Sequence, residues 1–439
     1  MGAVWIERLT ESGARAELAA VLQLAAAGRL RCSDKTRRPS AAAVRAVGEI
    51  LTDGDFYQDE PVRAFAWPLL LQAGDLAQLL GGRLELTVRG RKALAAPAHE
   101  TIRHLWRRWL SHGVLDEFSR IEKIKGQRAV NVLSAVGPRR KAVGAALAEC
   151  CPPGEWVTVD QLFKVMRTAG QDPYPVRSER ALWKLYLEDA QYGSLGYDGH
   201  HDWPVLQGRY TLCLLFEYAA ALGLIDVRYI DPDGARDDFH HMWGGDYLDR
   251  LSRYDGLLAV RLNPLGAYAT GRADHYEPSP APAGAARRGP VKVLPNFDIV
   301  ALDGLVPAEA LLLDAFATRS SDHVWTLSAA SLLKALHAGR ALDELRRFLA
   351  LGGGEKGLPQ TVTTLLADTA ARTEKVRDLG AFHLLECADE AQAVLVAKDR
   401  RLGALCSRIG QRHLAVAPGD LPAFRTVLLK LGYVLPTRS

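Results

Sequence analysis

Apolar and polar positions follow a helical period and then an alternating period along the first hundred residues. The helical period covers residues 14–28 and 39–51, and the second of these helices is entered through Pro39 and Ser40. Proline suits the first turn of a helix, and a serine hydroxyl accepts a hydrogen bond from a free backbone N–H there. An apolar helix, "AFAWPLLLQAG", and two short alternating strands joined by a glycine pair follow. This order predicts a helical unit that ends in a β-hairpin, which is typical of a winged helix.

The same order of elements occurs a second time. It comprises "KAVGAALAEC", the short strand "EWVTV", "VDQLFKVMRTAG", the apolar helix "TLCLLFEYAAALG" and two strands separated by an insertion at about 231–255. In both copies the last strand ends in a helix-capping residue, Thr87 or Asn263, and a glycine follows three residues later, at Gly90 or Gly266. Glycine at that place allows close packing. We therefore predict a first repeat at about 10–97 and a second repeat at about 142–272.

The rest of the chain predicts a connector, a linker and a third module. Residues 99–141 predict a basic helical connector, and the Pro/Ala/Gly-rich stretch 274–290 is typical of a linker. Residues 291–439 begin with a strand pair around Pro295, and a helix capped by Ser328 follows. Their last part predicts "AQAVLVAK" as a strand, "RRLGALCSRIG" as a helix, "RHLAVAP" as a strand and a final helix.

These elements together predict the fold class and the domains. We expect an α+β, mostly helical protein with tandem winged-helix domains followed by a small α/β module. The predicted boundaries are 1–98 for the first winged-helix domain, 99–141 for the connector, 142–273 for the second winged-helix domain with its hairpin insertion, 274–290 for the linker and 291–439 for the third module.

Composition excludes several classes of protein. The chain has 439 residues, 48% of them hydrophobic and 24% charged, as expected for a folded protein of about three domains. No apolar run approaches the roughly 20 residues of a membrane span, and Glu7 and Arg8 interrupt the first apolar residues, so we expect neither a membrane segment nor a signal peptide. Six scattered cysteines without a CxxC pair favour the reducing cytoplasm.

The third module, from Val291 to about Pro436, resembles the helicase-associated domain of XPB-type helicases and their bacterial relatives. The resemblance rests on "VLPNFDIVAL", "WTLSAASLLKALHAGRALDELRRFL" and "GLPQTVTTLLADTAART". The two upstream repeats are similar to units that bacterial helicase-associated proteins carry. The resemblance implies a role in DNA transactions beside, or derived from, a superfamily-two helicase.

The chain departs from such helicases because it contains no G-x-x-x-x-G-K-[ST] loop to hold a nucleotide's phosphates. The nearest glycine- and lysine-containing loop, "LGGGEKGLP", lacks the spacing and the Ser/Thr, and no apolar strand precedes Asp116 and Glu117 in "VLDEFSR". We therefore expect a non-catalytic adaptor without a cofactor. It would dock a helicase or nuclease in genome maintenance or antiphage defence.

Local basic stretches are the candidate DNA contacts, since the net charge of the whole chain is only +4. Lysine and arginine contacts to phosphate supply most sequence-independent affinity, although such runs are also typical of solvated helix faces. The apolar third helices of both repeats are expected to be buried, so we predict no reading of base sequence. The predicted contacts are Lys35, Arg37, Arg38, Ser40, Arg89, Arg91, Lys92, Arg120, Lys123, Lys125, Arg128, Arg139, Arg140 and Lys141.

Two alternatives remain open. The apolar third helices also suit a protein-interaction scaffold that does not bind DNA. A metal-dependent hydrolase would use the loops containing His200 and His201, and His240 and His241, but neither loop has a spacing such as H-x-x-x-H. Neighbouring histidines on one element point apart, so we do not expect a metal. Trp106 and Trp109, three residues apart, are typical of core packing rather than base stacking.

Overall fold

The computed structural model describes residues 5–198, 203–279, 291–302, 304–352, 357–373 and 379–436. The chain divides into two compact units, unit 1 at Met1–Leu366 and unit 2 at Ala367–Ser439. The boundary falls inside the predicted third module, so the elements of that module are divided between the two units. Most of the predicted linker, at 280–290, lies outside the described residues.

The first repeat contains the predicted order of elements. Its elements and the helix that follows are β1 (Ile6–Arg8), α1 (Glu11–Ala26), α2 (Ala41–Gly48), α3 (Arg63–Ala73), β2 (Ala77–Leu80), β3 (Arg83–Leu86), α4 (Val88–Ala93) and α5 (Ala98–Ser111). β2 and β3 form an antiparallel hairpin, and the chain before α2 joins it through a bridge between Arg31 and Arg83. Ser40 caps α2 as predicted, because its hydroxyl accepts a hydrogen bond from the Ala43 N–H at 3.2 Å.

The connector and the second repeat follow in the order β4 (Ile124–Lys125), α6 (Val136–Cys150), β5 (Trp156–Thr158), α7 (Val159–Thr168), α8 (Glu179–Leu182), β6 (Tyr186–Leu187), α9 (Leu195–Asp198), α10 (Arg209–Cys213), β7 (Ile225–Tyr229), β8 (Leu257–Leu262) and α11 (Pro264–Thr270). The helical segments Pro204–Gly208 and Leu214–Ala219 extend α10 at both ends. The long connection between β7 and β8 is the predicted hairpin insertion. The strands form a sheet in the order β1-β7-β8-β5, so the N-terminal strand completes the sheet of the second repeat.

One apolar core runs through both repeats and the connector. Trp67, Trp106 and Trp109 are at most 1% exposed, and the Trp109 ring stacks on Tyr218 with 4.0 Å between ring centroids. Both apolar third helices are buried, which confirms the prediction that they lie in the interior. This core is shared by both repeats and the connector, and all three segments lie in unit 1.

The two repeats end in the same capped turn. The Thr87 hydroxyl accepts a hydrogen bond from Gly90 N–H at 3.0 Å, and the Asn263 side-chain oxygen accepts one from Gly266 N–H at 2.9 Å. A Cβ added to Gly90 would lie 1.9 Å from the carbonyl oxygen of Leu76, and one added to Gly266 would lie 1.9 Å from the Leu224 carbonyl oxygen. The sequence similarity between the two strand ends is therefore also a structural one.

The C-terminal part of unit 1 begins with β9 (Val291–Val293), β10 (Asp298–Ala301), α12 (Pro307–Phe316), β11 (Ala317–Ser321), β12 (Val324–Leu327), α13 (Ala329–His337) and α14 (Leu342–Gly352), and α15 (Gln360–Thr373) crosses the boundary between the units. The strands form an antiparallel sheet in the order β11-β12-β10-β9, and α12 packs against α1. The predicted strand pair around Pro295 and the Ser328 cap are both confirmed.

Unit 2 contains β13 (His383–Glu386), α16 (Glu390–Lys398), β14 (Cys406–Ile409), β15 (His413–Val416) and α17 (Leu421–Lys430), with the sheet order β13-β15-β14. The strand predicted for "AQAVLVAK" is wrong, because this segment forms α16. The Asp389 carboxylate accepts a hydrogen bond from Gln392 N–H at 2.8 Å and starts the helix, while Ala393 and Val396 are buried at helical spacing. The helix predicted over "RRLGALCSRIG" is also wrong, since its second half is β14. β15 and α17 confirm the strand predicted for "RHLAVAP" and the predicted final helix.

The described part of the chain contains no helix that is both long and apolar enough to cross a membrane.

Gly90→Ala and Gly266→Ala are each expected to lower the free energy of unfolding by about 1–3 kcal/mol, because the new methyl group would displace a backbone carbonyl. Gly48→Ala is the control, since a Cβ there has no atom within 4 Å. All nine tryptophans lie in unit 1, so denaturation followed by tryptophan fluorescence reports on this unit. Equal stabilities of the three variants would contradict the structural role of these glycines.

Candidate nucleic-acid interface

The basic connector places two of its predicted DNA contacts in the interior. Arg139 and Arg140 are 2% and 1% exposed. Arg140 Nε lies 2.5 Å from Glu117 Oε1, and its terminal nitrogens donate to the backbone carbonyls of Trp109 and Leu115. Burial raises the pKa of Glu117, and the charge of Arg140 acts in the opposite direction. Arg139 makes a comparable pair with Asp116, at 2.7 Å.

Arg120 joins the two repeats. Its Nη2 lies 2.9 Å from Glu217 Oε2 in the segment Leu214–Ala219, and the Tyr254 hydroxyl donates to the same carboxylate oxygen. Its guanidinium also lies 3.8 Å from the ring centroid of Phe65 in α3. Burial acts to lower the pKa of Arg120, but the carboxylate of Glu217 holds that pKa well above its usual value.

These contacts correct the predicted DNA interface. The guanidiniums of Arg120, Arg139 and Arg140 are buried or nearly so, and each has a carboxylate partner. A charge that is buried and paired in this way would have to leave its partner to reach a phosphate, which costs several kcal/mol. We therefore remove these three residues from the candidate contacts.

Three further predicted cations are partly neutralised at the surface. Lys123 and Lys125 share the carboxylate of Glu188, at 3.1 and 3.8 Å. Arg89 lies 3.9 Å from Asp75, and both side chains are more than half exposed. Exposed pairs of this kind contribute at most about 1 kcal/mol, so a phosphate can compete for these cations.

Arg38, Lys125 and Arg128 converge on one groove, which we call the basic groove. Arg38 comes from the loop before α2, whereas Lys125 and Arg128 come from the connector. Arg38 Nη2 donates to the Ser119 hydroxyl at 2.8 Å. Glu122 also lines the groove, but its carboxylate is held by Arg253 at 2.6 Å. In the described parts of the chain, no carboxylate lies within ion-pair distance of Arg38 or Arg128.

Partial burial is the main influence on the pKa of Arg38, and the charge of Glu217 acts to raise that pKa. Burial, together with the positive charges of Arg120 and Arg128, lowers the pKa of the Arg38 guanidinium. Lysine and arginine in such a cluster repel one another until an anion binds between them. The basic groove thus has the electrostatics of an anion site with a half-buried arginine on one side.

The remaining predicted contacts are spread over the surface. Lys35 and Arg37 are exposed in the loop before α2, whereas the hydroxyl of Ser40 is used to cap that helix. Lys141 is exposed beside the buried Arg140. The exposed Arg91 and Lys92 of α4 line a different depression, together with Arg89 and Gln78.

Polar residues that no sequence pattern indicates complete the basic groove. Ser119, Gln127 and Tyr186 all line it. Tyr186 reaches the groove because β4 and β6 pair with Lys125 opposite Tyr186. No spacing in the sequence indicates this pairing, since each strand has only two residues.

The histidine loops show no metal centre in the part that the structure describes. His200, His201 and Asp202 lie outside the described residues. His240 Nε2 is 3.2 Å from the Leu248 carbonyl oxygen, and Asp238 is paired with Arg209 and Arg236 at 2.6 and 2.8 Å. No group of three or more metal-ligating side chains occurs among the described residues.

Arg140→Ala is expected to lower the free energy of unfolding by about 3–5 kcal/mol, because it leaves the buried Glu117 carboxylate without its ion-pair partner. Lys141→Ala, the exposed neighbour, is expected to change it by less than about 0.5 kcal/mol. Adding Glu117→Gln to the Arg140 variant removes the unpaired charge and is expected to restore part of the loss. Chemical denaturation of the three variants measures this difference, and similar midpoints would refute a buried ion pair.

Comparison with known proteins supports the resemblance found at the C-terminal end. A family model described as a helicase conserved C-terminal domain matches residues 293–409. No curated protein matches the chain. The matched region begins in β9 and ends in β14 and covers less than half of the chain. Residues 293–409 are thus similar to a helicase C-terminal domain, which suggests a helicase-related role.

Proposed function

We propose that this chain is a non-catalytic DNA-binding adaptor in a helicase-related process. The basic groove is the observation that carries the proposal, since Arg38 and Arg128 meet there without a carboxylate partner among the described residues. Phosphate oxygens accept hydrogen bonds from guanidinium groups, and arginine matches them with two parallel donors. The other cations beside the groove would extend the contact along a nucleic-acid backbone.

The organisation of the two repeats supports an assignment as tandem winged helices. Each repeat has helices followed by a hairpin, and a short segment before its second helix pairs with the last strand of that hairpin, through the bridge from Arg31 in one and through β5 in the other. Both third helices are buried and cannot enter a DNA groove. We therefore propose binding through the phosphate backbone without selection of base sequence.

The match at 293–409 supports a place beside a motor protein. Because the sequence has no phosphate-binding nucleotide loop, we propose that another protein supplies the ATP-driven step or the strand cleavage. The partner would be a helicase or nuclease in genome maintenance or antiphage defence. We also propose that the C-terminal module is of the XPB-type helicase-associated kind and that the protein acts in the cytoplasm.

Salt-dependent DNA binding is the test. The full chain is titrated with fluorescently labelled duplex and single-stranded DNA at several salt concentrations. Arg38→Gln with Arg128→Gln is expected to weaken binding and to reduce the slope of log K against log salt by about 1–2, because each phosphate contact contributes about 0.9 for duplex DNA.

Lys164→Gln with Arg167→Gln is the matched control, since it removes two exposed charges of α7 outside the basic groove. Its salt slope is expected to stay close to that of the unaltered protein. Equal slopes for both pairs would reject the basic groove as the contact. Absence of binding at about 50 mM salt would reject the DNA role and favour the protein-interaction scaffold.

A further inference from the structure

Two loops of the second repeat expose a group of large aromatic side chains. The loops comprise residues 183–197 and 239–247, and we call them the aromatic loops. The exposed fractions are 54% for Trp183, 41% for Tyr192, 68% for Tyr197, 66% for Trp243 and 78% for Tyr247. Tryptophan and tyrosine are the residues that most often dominate binding interfaces, and exposed apolar patches mark such surfaces.

The aromatic side chains are held in place by each other. The rings of Trp183 and Tyr197 meet edge to face, with centroids 4.7 Å apart, and the rings of Tyr192 and Tyr247 lie 6.2 Å apart. Aromatic pairs at these separations attract each other. These four side chains are therefore both ordered by contact and open to solvent.

Glycines interlock the two loops. A Cβ added to Gly244 would lie 2.9 Å from Cβ of Tyr192, and one added to Gly193 would lie 3.7 Å from Cβ of Trp243. Each loop thus places a glycine against an aromatic residue of the other loop. Close packing of this kind fixes the side chains before a partner arrives, which reduces the entropy lost on binding.

The charge of the aromatic loops is negative. The segments 183–198 and 237–249, which extend the aromatic loops by one or two residues, contain seven Asp and Glu residues and a single lysine, Lys184. Two of the seven, Glu188 and Asp238, are already paired with cations outside these segments. Asp189 and Asp246 are exposed beside the aromatic residues, and neither has an ion-pair partner among the described residues. This charge repels phosphate and attracts cations, so the aromatic loops differ in kind from the basic groove.

We propose that the aromatic loops bind an arginine-rich segment of a partner protein. A guanidinium group stacks on an aromatic ring and pairs with a carboxylate at the same time, which lysine does less well. The protein itself uses this geometry, with Arg140 4.3 Å from the ring centroid of Trp109 and Arg228 4.1 Å from that of Trp156. The aromatic loops offer rings and carboxylates that no arginine of the described chain fills.

The first experiment titrates the full chain with a fluorescein-labelled peptide of alternating arginine and glycine. The comparison peptide carries citrulline in place of each arginine, which keeps the shape and removes the charge. Binding of the arginine peptide is expected to saturate and to be at least tenfold tighter. Equal affinities, or no binding of the arginine peptide, would overturn the proposal.

Substitutions in the aromatic loops test whether the arginine peptide binds there. Trp243→Ala with Tyr247→Ala, and separately Asp189→Asn with Asp246→Asn, are each expected to weaken binding of the arginine peptide at least tenfold. Trp5→Ala is the control, because Trp5 is also 54% exposed but lies just before β1. The double variants could fail to fold, so the single variant Tyr247→Ser is measured as well. Its circular dichroism spectrum is expected to match that of the unaltered protein while its binding of the arginine peptide is weaker. Unchanged affinity in both double variants, or an equal loss in the control, would exclude the aromatic loops.

Titration with single-stranded oligo(dT) tests whether the aromatic loops bind nucleic acid instead of a protein segment. Aromatic rings also stack on unpaired bases, and such stacking tolerates any sequence. If the aromatic double variant weakens oligo(dT) binding and leaves the arginine peptide unaffected, the surface binds single-stranded nucleic acid and the proposal fails. The expected result is the reverse, with oligo(dT) binding that depends on Arg38 and Arg128 alone.

Discussion

A guanidinium group buried without a carboxylate beside it is too costly for a folded protein to keep, and this constraint organises unit 1. Arg140 with Glu117, Arg120 with Glu217 and Arg209 with Asp255 are pairs in which the carboxylate is fully buried and the arginine at most 10% exposed. The pair of Arg120 with Glu217 fastens the connector to the second repeat, and the pair of Arg140 with Glu117 holds α6 against the short turn between α5 and β4 in which Glu117 and Arg120 both lie. The Arg140 nitrogens also satisfy three backbone carbonyls, so the pair replaces most of the hydration that burial removes. The connector is therefore part of the core and fixes how the two repeats meet.

The same pairs decide which charges remain at the surface. A count of cations between residues 120 and 141 suggests a long basic face, but the interior pairs use Arg120, Arg139 and Arg140, and Glu188 partly offsets two lysines. Arg128 is then left beside Arg38 from a distant part of the chain. The β4–β6 pairing joins this basic groove to the acidic aromatic loops, because Tyr186 lines the groove and Tyr192 lies six residues further on. A phosphate backbone and a cationic protein segment would thus bind on the same unit, and the pair of Lys125 with Glu188 links the two surfaces.

Sequence patterns predicted the helices and strands of this unit better than they predicted which charged side chains are exposed. The helix caps at Thr87 and Asn263 and the burial of the third helices follow from local chemistry and from continuous apolar runs, which a sequence shows directly. The partners of Arg120 and Arg140 lie 97 and 23 residues away, so a local run of positive charge could not reveal their burial. In unit 2 the short apolar run before Lys398 suits a strand or a helix equally well. The hydrogen bond that caps the helix at Asp389 is what favours the helix. The convergence of Arg38 with Arg128 depends on the shared core and has no local signal.

Burial of both third helices has a consequence for how such a protein would find its place on DNA. A winged helix that selects sequence inserts its third helix into the major groove, whereas here those helices are the centre of the core and carry Trp67, Tyr210 and Tyr218. Exposing them would cost much of the stability of unit 1. Contacts limited to phosphate cannot distinguish one DNA site from another, so under the proposed function a second surface would have to select the site. The aromatic loops provide a surface of the opposite charge, and the order imposed by their interlocked glycines and rings suits recognition of a protein rather than of DNA.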